Sequence, residues 1–243
     1  MKRDMTASRR AQHDSGAKNH AAVNQMFRQL SRHYVLKDWW PADGPFEVAV
    51  GAILTQNTNW KNAAAAISNM KASGMMTPER ITSSGKELEV LIRPSGSFRR
   101  KSKTLRLFSL FLLSTFGGEM ALMSAAPEAE LREQLLRIHG IGEETADAIL
   151  LYACGKAVFV ADSYAKRFLS RTGAIDGMST YLRVKEIVEA SVEGDAHDYA
   201  LFHGLIVEFA KELCRKTPLC DSCFITGCNY RASVRNREER FQT

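Results

Sequence analysis

The chain has 243 residues, of which 45% are hydrophobic, enough for a packed core in one large or two small domains. Its formal net charge of +6 and sequence pI of about 9.1 suit a polyanionic partner. No apolar run approaches membrane-span length, and Lys2, Arg3, Arg9 and Arg10 precede no apolar signal core. That sets aside membrane and secreted classes and leads us to expect a cytoplasmic protein, nucleoid-associated if bacterial.

Residues 1–20 are polar and charged and read as a mobile basic arm. Val23, Met26, Phe27, Leu30 and Tyr34 then recur at helical spacing. Trp39-Trp40-Pro41 follows in a loop, where the two rings either stack on a flat, electron-poor base or brace a domain junction. Phe46 to Leu54 is apolar and gives way abruptly to Thr55-Gln56-Asn57-Thr58-Asn59-Trp60. Asn62–Met70 and Glu79–Ile92 read as helices, the second interrupted by Thr82–Lys86. Arg93 to Phe98 reads as a turn, and Arg99, Arg100, Lys101 and Lys103 beyond it either hold phosphates or form a solvated helix end. Leu105–Phe116 is expected to be a buried helix ended by Gly117-Gly118.

Leu131, Leu135 and Leu136 lead at helical spacing into His139-Gly140-Ile141-Gly142. Ala146, Ile149, Leu150 and Ala153 then form a second stripe. Two glycines two apart let the backbone turn sharply and leave N–H groups facing outward at a helix start, a site for a phosphate oxygen. Ile141 would plug the angle between the helices. The pattern is a helix-hairpin-helix, which grips a nucleic-acid backbone without reading bases; a plain Gly-rich turn between two helices is the alternative. Asp162 follows the apolar run Ala157-Val158-Phe159-Val160 and so sits at the end of a buried segment. Ser163-Tyr164 is expected to cap the next helix. Val184–Val192 and Tyr199–Leu213 supply two more helices, and His203, on the second, reads as structural. No strand alternation of useful length and no internal repeat appear.

Of five cysteines, four crowd near the end as Cys214-x5-Cys220-x2-Cys223-x4-Cys228. In a chain with no secretory signal, four thiols within fifteen residues read as a metal site rather than as disulfides.

Gly140-Ile141-Gly142, Thr145-Ala146 and Val160-Ala161-Asp162 resemble the helix-hairpin-helix, Gly/Pro-rich loop and aspartate motif of the endonuclease III superfamily of DNA glycosylases. The resemblance runs from about Phe46 to Cys228. Ile53 to Trp60, with Trp39-Trp40-Pro41, looks closest to the DNA-3-methyladenine glycosylase III branch. The fold this implies is all-α. It has two helical domains, a helix-hairpin-helix and a C-terminal four-cysteine cluster loop. Residues 38–153 would form a helical barrel domain with the hairpin, and residues 21–37 plus 154–243 the second domain.

The resemblance implies Asp162 as the catalytic carboxylate. It implies Gln56, Gly140, Ile141, Gly142 and Thr145 at the DNA, with Gln56 filling the gap left by a flipped base, although a satisfied polar turn would also use that glutamine. Trp39, Trp40, Phe46, Trp60 and Glu144 are assigned to the base pocket or to stacking. Strand-nicking members carry a lysine two residues after the second hairpin glycine, where this chain has Glu144, so lyase activity is not expected. Relatives place a bulky apolar wedge near Ser97, a task left here to Phe98 or another side chain. Many relatives hold a 4Fe–4S cluster on a Cys-x6-Cys-x2-Cys-x5-Cys run; two spacers here are one residue shorter, and zinc is the alternative for Cys214, Cys220, Cys223 and Cys228.

The expected function is a monofunctional base-excision glycosylase that hydrolytically releases alkylated purines such as 3-methyladenine. Its partner would be double-stranded DNA containing damaged bases, with no membrane contact, and it would act as a monomer. The rivals are a mismatch or oxidised-pyrimidine glycosylase and a non-catalytic DNA-binding protein.

Overall fold

The structure, a computed structural model, describes the backbone of residues 4–37 and 39–234, with side chains from residue 19 onward. Twelve α-helices follow one another among the described residues: α1 (Asp4–His33), α2 (Pro45–Leu54), α3 (Trp60–Ala72), α4 (Pro78–Ser83), α5 (Glu87–Leu91), α6 (Phe98–Phe116), α7 (Met120–Ala125), α8 (Glu128–Arg137), α9 (Glu143–Ala148), α10 (Ser163–Thr172), α11 (Tyr181–Ser191) and α12 (Ala196–Glu212). A 3₁₀ turn at Arg93–Ser95 precedes α6, and α9 runs on as a π-helical stretch, Ile149–Ala153. No described residue is in a strand, as the all-α reading requires. No described helix is long and apolar enough to cross a membrane.

The chain divides into a central unit, Trp40–Val158, and a unit made from its two ends, Met1–Trp39 with Phe159–Thr243. The central unit is built around α2. Pro45 sits at its start, where a missing N–H goes unnoticed, and every residue from Glu47 to Leu54 is buried. A helix that is apolar nearly all round must be covered all round, and α3, α6, α9 and the π stretch cover it. Local signals set the helix ends. Asn59 caps α3 by accepting from Asn62 N, and Thr77 caps α4 by accepting from Arg80 N. Gly117 (φ +63°) closes α6 in the left-handed region, so that the N–H groups of Gly117 and Gly118 return to the carbonyls of Leu113 and Leu112.

The end unit is built around α12, whose Phe202, Leu205, Ile206 and Phe209 are buried. Helices α1 and α10 pack on it, and α1 also packs on α11. Val23, Met26 and Leu30 form the buried stripe of α1, and Phe27 meets Phe202 at 4.7 Å between ring centroids. A capping box starts α12: Asp195 accepts from the N–H groups of His197 and Asp198, while Asp198 accepts from Asp195 N.

Residues 4–20, read from sequence as a mobile arm, lie in α1, and residues 1–3 lie outside the described residues. The basic run lies on α6, which begins at Phe98 rather than near Leu105, and Arg99, Arg100 and Lys103 are exposed there, as the reading of a solvated helix end has it. One member, Lys101, is only 1% exposed and donates to the carbonyls of Leu54 (2.7 Å) and Ser95 (2.6 Å), so it is a core tie and not a phosphate contact. Burial, and then the nearby Arg100, push its ammonium down to about 8. The helix after the apolar run is capped by Asp162 itself, one residue before the expected Ser163.

Candidate active site and nucleic-acid interface

In the central unit, α8 and α9 form the hairpin around His139–Gly142. Gly140 has φ +96°, and a Cβ there would collide with the Thr104 side chain, so conformation and space both demand glycine. Thr104 also donates from Oγ1 to the carbonyl of His139 (3.2 Å), holding the turn against α6. Gly142 differs. Its backbone is extended (φ −100°) and nothing in the protein lies within 4 Å of where its Cβ would be. Glycine there keeps open the space in front of the start of α9, which is what close approach of a phosphate needs. Ile141 is buried, as a plug must be.

The two arms are locked by a bidentate pair that sequence reasoning missed. Arg132 on α8 donates from Nε and Nη2 to the two Asp147 oxygens on α9, at 2.7 and 3.1 Å, and Asp147 is fully buried. The only signal in the sequence was an aspartate inside the apolar stripe from Ala146 to Ala153.

Gln56 is joined to this hairpin across 84 residues of chain. Its Nε2 donates to the carbonyl of Gly140 and to Thr145 Oγ1, both at 2.9 Å. Gln56, Gly140 and Thr145, all expected at the DNA, are therefore one hydrogen-bonded group, with Thr145 buried.

The expected aromatic residues separate. Trp40 meets Trp60 edge-on at 5.7 Å and lies at 4.8 Å from Tyr152, which sequence reasoning did not single out. Tyr152 is on the π-helical stretch, whose extra width per turn is not visible as a sequence period. Phe46 instead stacks on the buried Phe108 at 6.3 Å. Glu144 is exposed in the first turn of α9 beside Glu143, where negative charge favours the helix start.

Trp39 belongs to the end unit. Its Nε1 donates to Glu208 (3.1 Å) and its ring meets His203 edge-on at 5.5 Å. Gly204 gives it room: a Cβ there would lie 2.9 Å from Leu36 and 3.0 Å from Trp39. Burial raises the Glu208 carboxyl, but the bonds from Lys211 and Trp39 hold it below its ordinary value overall.

Asp162 is 9% exposed and caps α10, accepting at Oδ1 from the N–H of Ala165 at 2.7 Å. Its Oδ2 faces His203 Nε2 at 3.6 Å. A carboxylate fixed on a backbone N–H and largely screened from water is suited to stabilising positive charge or orienting a water.

The four cysteines line one small cavity of about 20 Å³ in the end unit, with Phe209 and Arg171 among its walls. Arg171 donates to Cys214 Sγ (3.3 Å) and to the carbonyls of Cys214 and Lys216, while Arg231 donates to the carbonyl of Cys223. Burial raises the thiols of Cys220 and Cys223, and the neighbouring sulfurs raise them further, against the pull of Arg231. No group of three or more His, Cys, Asp or Glu among the described residues is arranged to hold a metal ion. Cys154 stands apart as a buried thiol in the central unit.

Residues 50–193 match the family described as HhH-GPD superfamily base excision DNA repair protein, well over half of the chain. The chain belongs to this superfamily. A protein of Methanocaldococcus jannaschii provisionally named a DNA repair glycosylase is 40% identical over 203 residues, covering 83% of this chain and 92% of its own length. Endonuclease III of Thermotoga maritima is 27% identical over 81% of this chain and 90% of its own. Among solved structures, the H. pylori 3-methyladenine DNA glycosylase bound to 1,N6-ethenoadenine superposes with a TM-score of 0.69 at 31% identity, over 79% of this chain and 97% of that one. An endonuclease III–DNA complex superposes with a TM-score of 0.74 at 18% identity, over 89% of this chain and 98% of that one, and so supports the fold.

The hairpin is therefore the helix-hairpin-helix of an HhH-GPD base-excision glycosylase, an enzyme that acts on DNA. A basic chain with open backbone at the hairpin suits that polyanionic partner.

Proposed function

We propose that this glycosylase is monofunctional and releases alkylated purines such as 3-methyladenine by hydrolysis. The Asp162 carboxylate carries the reading. It would stabilise the oxocarbenium-like charge that grows on the sugar as the base departs, and orient the attacking water. The bond broken is the N-glycosidic bond, its electrons leaving with the base and neutralising its positive charge; the new bond joins water oxygen to C1′, and the proton the water loses passes to Asp162 and on to solvent. An abasic site remains.

An N-alkylated purine is cationic and already a good leaving group, so the chemistry needs no strong acid. The Trp40–Trp60–Tyr152 group offers aromatic faces that attract such a cation. The likeness to the H. pylori 3-methyladenine enzyme supports the same substrate class. Glu144 stands where strand-nicking relatives carry their lysine, which supports water as the nucleophile. Phosphates would be held at the start of α9, in the space that Gly142 leaves open, with Gln56 bracing the hairpin. We expect methylated duplex DNA to release 3-methyladenine, seen by chromatography, and strand breaks to appear only after alkali. Breaks before alkali would show that another amine attacks the sugar and would refute the monofunctional reading.

Cys214, Cys220, Cys223 and Cys228 would hold a 4Fe–4S cluster. In a cubane each thiolate binds a different iron, so the four sulfurs surround a volume instead of converging on a point. Four thiols lining one cavity give the four ligands that a cubane takes, and the likeness of the run to the cysteine spacing of relatives favours the cluster over zinc. The group would supply structure, by tying the cysteine loop to α10 and α12, and takes no part in base release. We expect about four irons per chain and a broad absorbance band near ~400 nm in protein purified without oxygen, in keeping with cubane ligation. One zinc and no iron would decide for the alternative.

A further inference from the structure

On an apolar helix face His203 reads as structural, and glycosidic cleavage through Asp162 does not use it. Its surroundings in the end unit indicate more. The imidazole is 5% exposed, and Nε2 lies 3.6 Å from Asp162 Oδ2. The ring is walled by the edge contacts of Trp39 (5.5 Å) and Phe159 (6.3 Å). Trp39 is itself fixed by its bond to Glu208 and by the room that Gly204 leaves on α12. A histidine so enclosed cannot swing away from the carboxylate.

We propose that His203 is a positioning residue for Asp162, an inference that rests on Asp162 being the catalytic carboxylate. The two Asp162 oxygens meet different partners. Oδ1 is tied to the backbone of α10 by Ala165 N, and Oδ2 faces the imidazole. The carboxylate favours the tautomer with the proton on Nε2, because that places an N–H dipole toward negative charge. At 3.6 Å the pair is slightly longer than a hydrogen bond, so it acts as a charge–dipole contact. With both groups nearly out of water, this contact is weakly screened. It restricts rotation of the carboxylate about its Cβ–Cγ bond, and so sets the direction in which Asp162 presents charge to a sugar and orients a water. No proton leaves His203 in the step. Trp39, expected to stack on a base, serves here as a wall of the histidine's cage.

The test compares His203→Ala, His203→Gln and Asp162→Asn in the full chain. Three quantities are read: the single-turnover rate of 3-methyladenine release, the affinity for a duplex carrying a tetrahydrofuran abasic-site analogue, and the melting temperature. We expect His203→Ala to slow release by about 10- to 100-fold, since misplacement of a reacting group costs on that scale. Affinity for the analogue should stay within about threefold. Gln can extend an amide N–H toward Oδ2, so His203→Gln should recover most of the rate. An alanine variant with an unaltered rate overturns the proposal. So does a glutamine variant as slow as alanine, or a rate loss that follows the melting temperature in both, because the role is then packing. If Asp162→Asn releases base at the normal rate, the underlying reading fails, whatever the His203 variants do.

Discussion

Asp162→Asn should lower the single-turnover rate of base release by about 10²- to 10⁴-fold, the range removed with a positioned acid–base or charge-stabilising group. The substitution isolates charge from structure. Asp162 caps α10 through Oδ1 and Ala165 N, and asparagine is as good a helix cap as aspartate. The variant should therefore keep its melting temperature to within a few degrees and still bind duplex DNA. On the proposed mechanism it loses the negative charge that would stabilise the sugar as the base departs. Quantifying released 3-methyladenine by chromatography, beside a thermal melt, separates the two. Release within threefold of the parent chain would remove Asp162 from the chemistry and revive the reading of a glycosylase that works by another group, while no release from either protein would favour a chain that only binds DNA.

Arg132→Met should be the most destabilising single change in the hairpin. Asp147 is fully buried and loses two charged hydrogen bonds at once. Removing one partner of a buried ion pair typically costs about 3–5 kcal/mol, because the remaining charge is left in an apolar surrounding. For a chain of this size each kcal/mol moves the melting temperature by roughly 2–4 °C, so a fall of about 6–20 °C is expected. The double variant Arg132→Met, Asp147→Leu removes both charges and should recover most of that loss. Calorimetry on the two variants decides. A single variant that melts within 2 °C of the parent would mean the pair contributes little to holding the two arms together. The same measurement bears on function, since α8 and α9 must be fixed for the space in front of Gly142 to be useful to a phosphate.

The hairpin could be read from sequence because its requirements are local. A turn that needs φ +96° at one position and open space at another admits glycine at both, and those two glycines are adjacent enough to be seen as a motif. Helix content was legible for the same reason: apolar spacing and the glycine stop at Gly117 act within a few residues, whereas the caps Asn59, Thr77, Asp162 and Asp195 came only with the structure. The cysteines were legible as a group because their spacing is short.

What brings distant residues together was not legible. A sequence says that Lys101 is charged and stands among other basic residues; only packing shows it buried with Leu54 and Ser95 carbonyls as partners. Gln56 reaches Gly140 and Thr145 over more than eighty residues, and no periodicity encodes such a bond. Trp39 and Trp40 look alike in sequence, yet a ring set on Gly204 and a ring set among Trp60 and Tyr152 do different work. His203 was one histidine on an apolar helix face until α10 brought Asp162 within 3.6 Å of it. The sequence by itself determined the helices, the turn and the chemical types available, because backbone conformation and hydrophobic period are short-range. Which side chains meet was decided by tertiary structure, because burial in a shared core is a property of pairs that the chain order does not record.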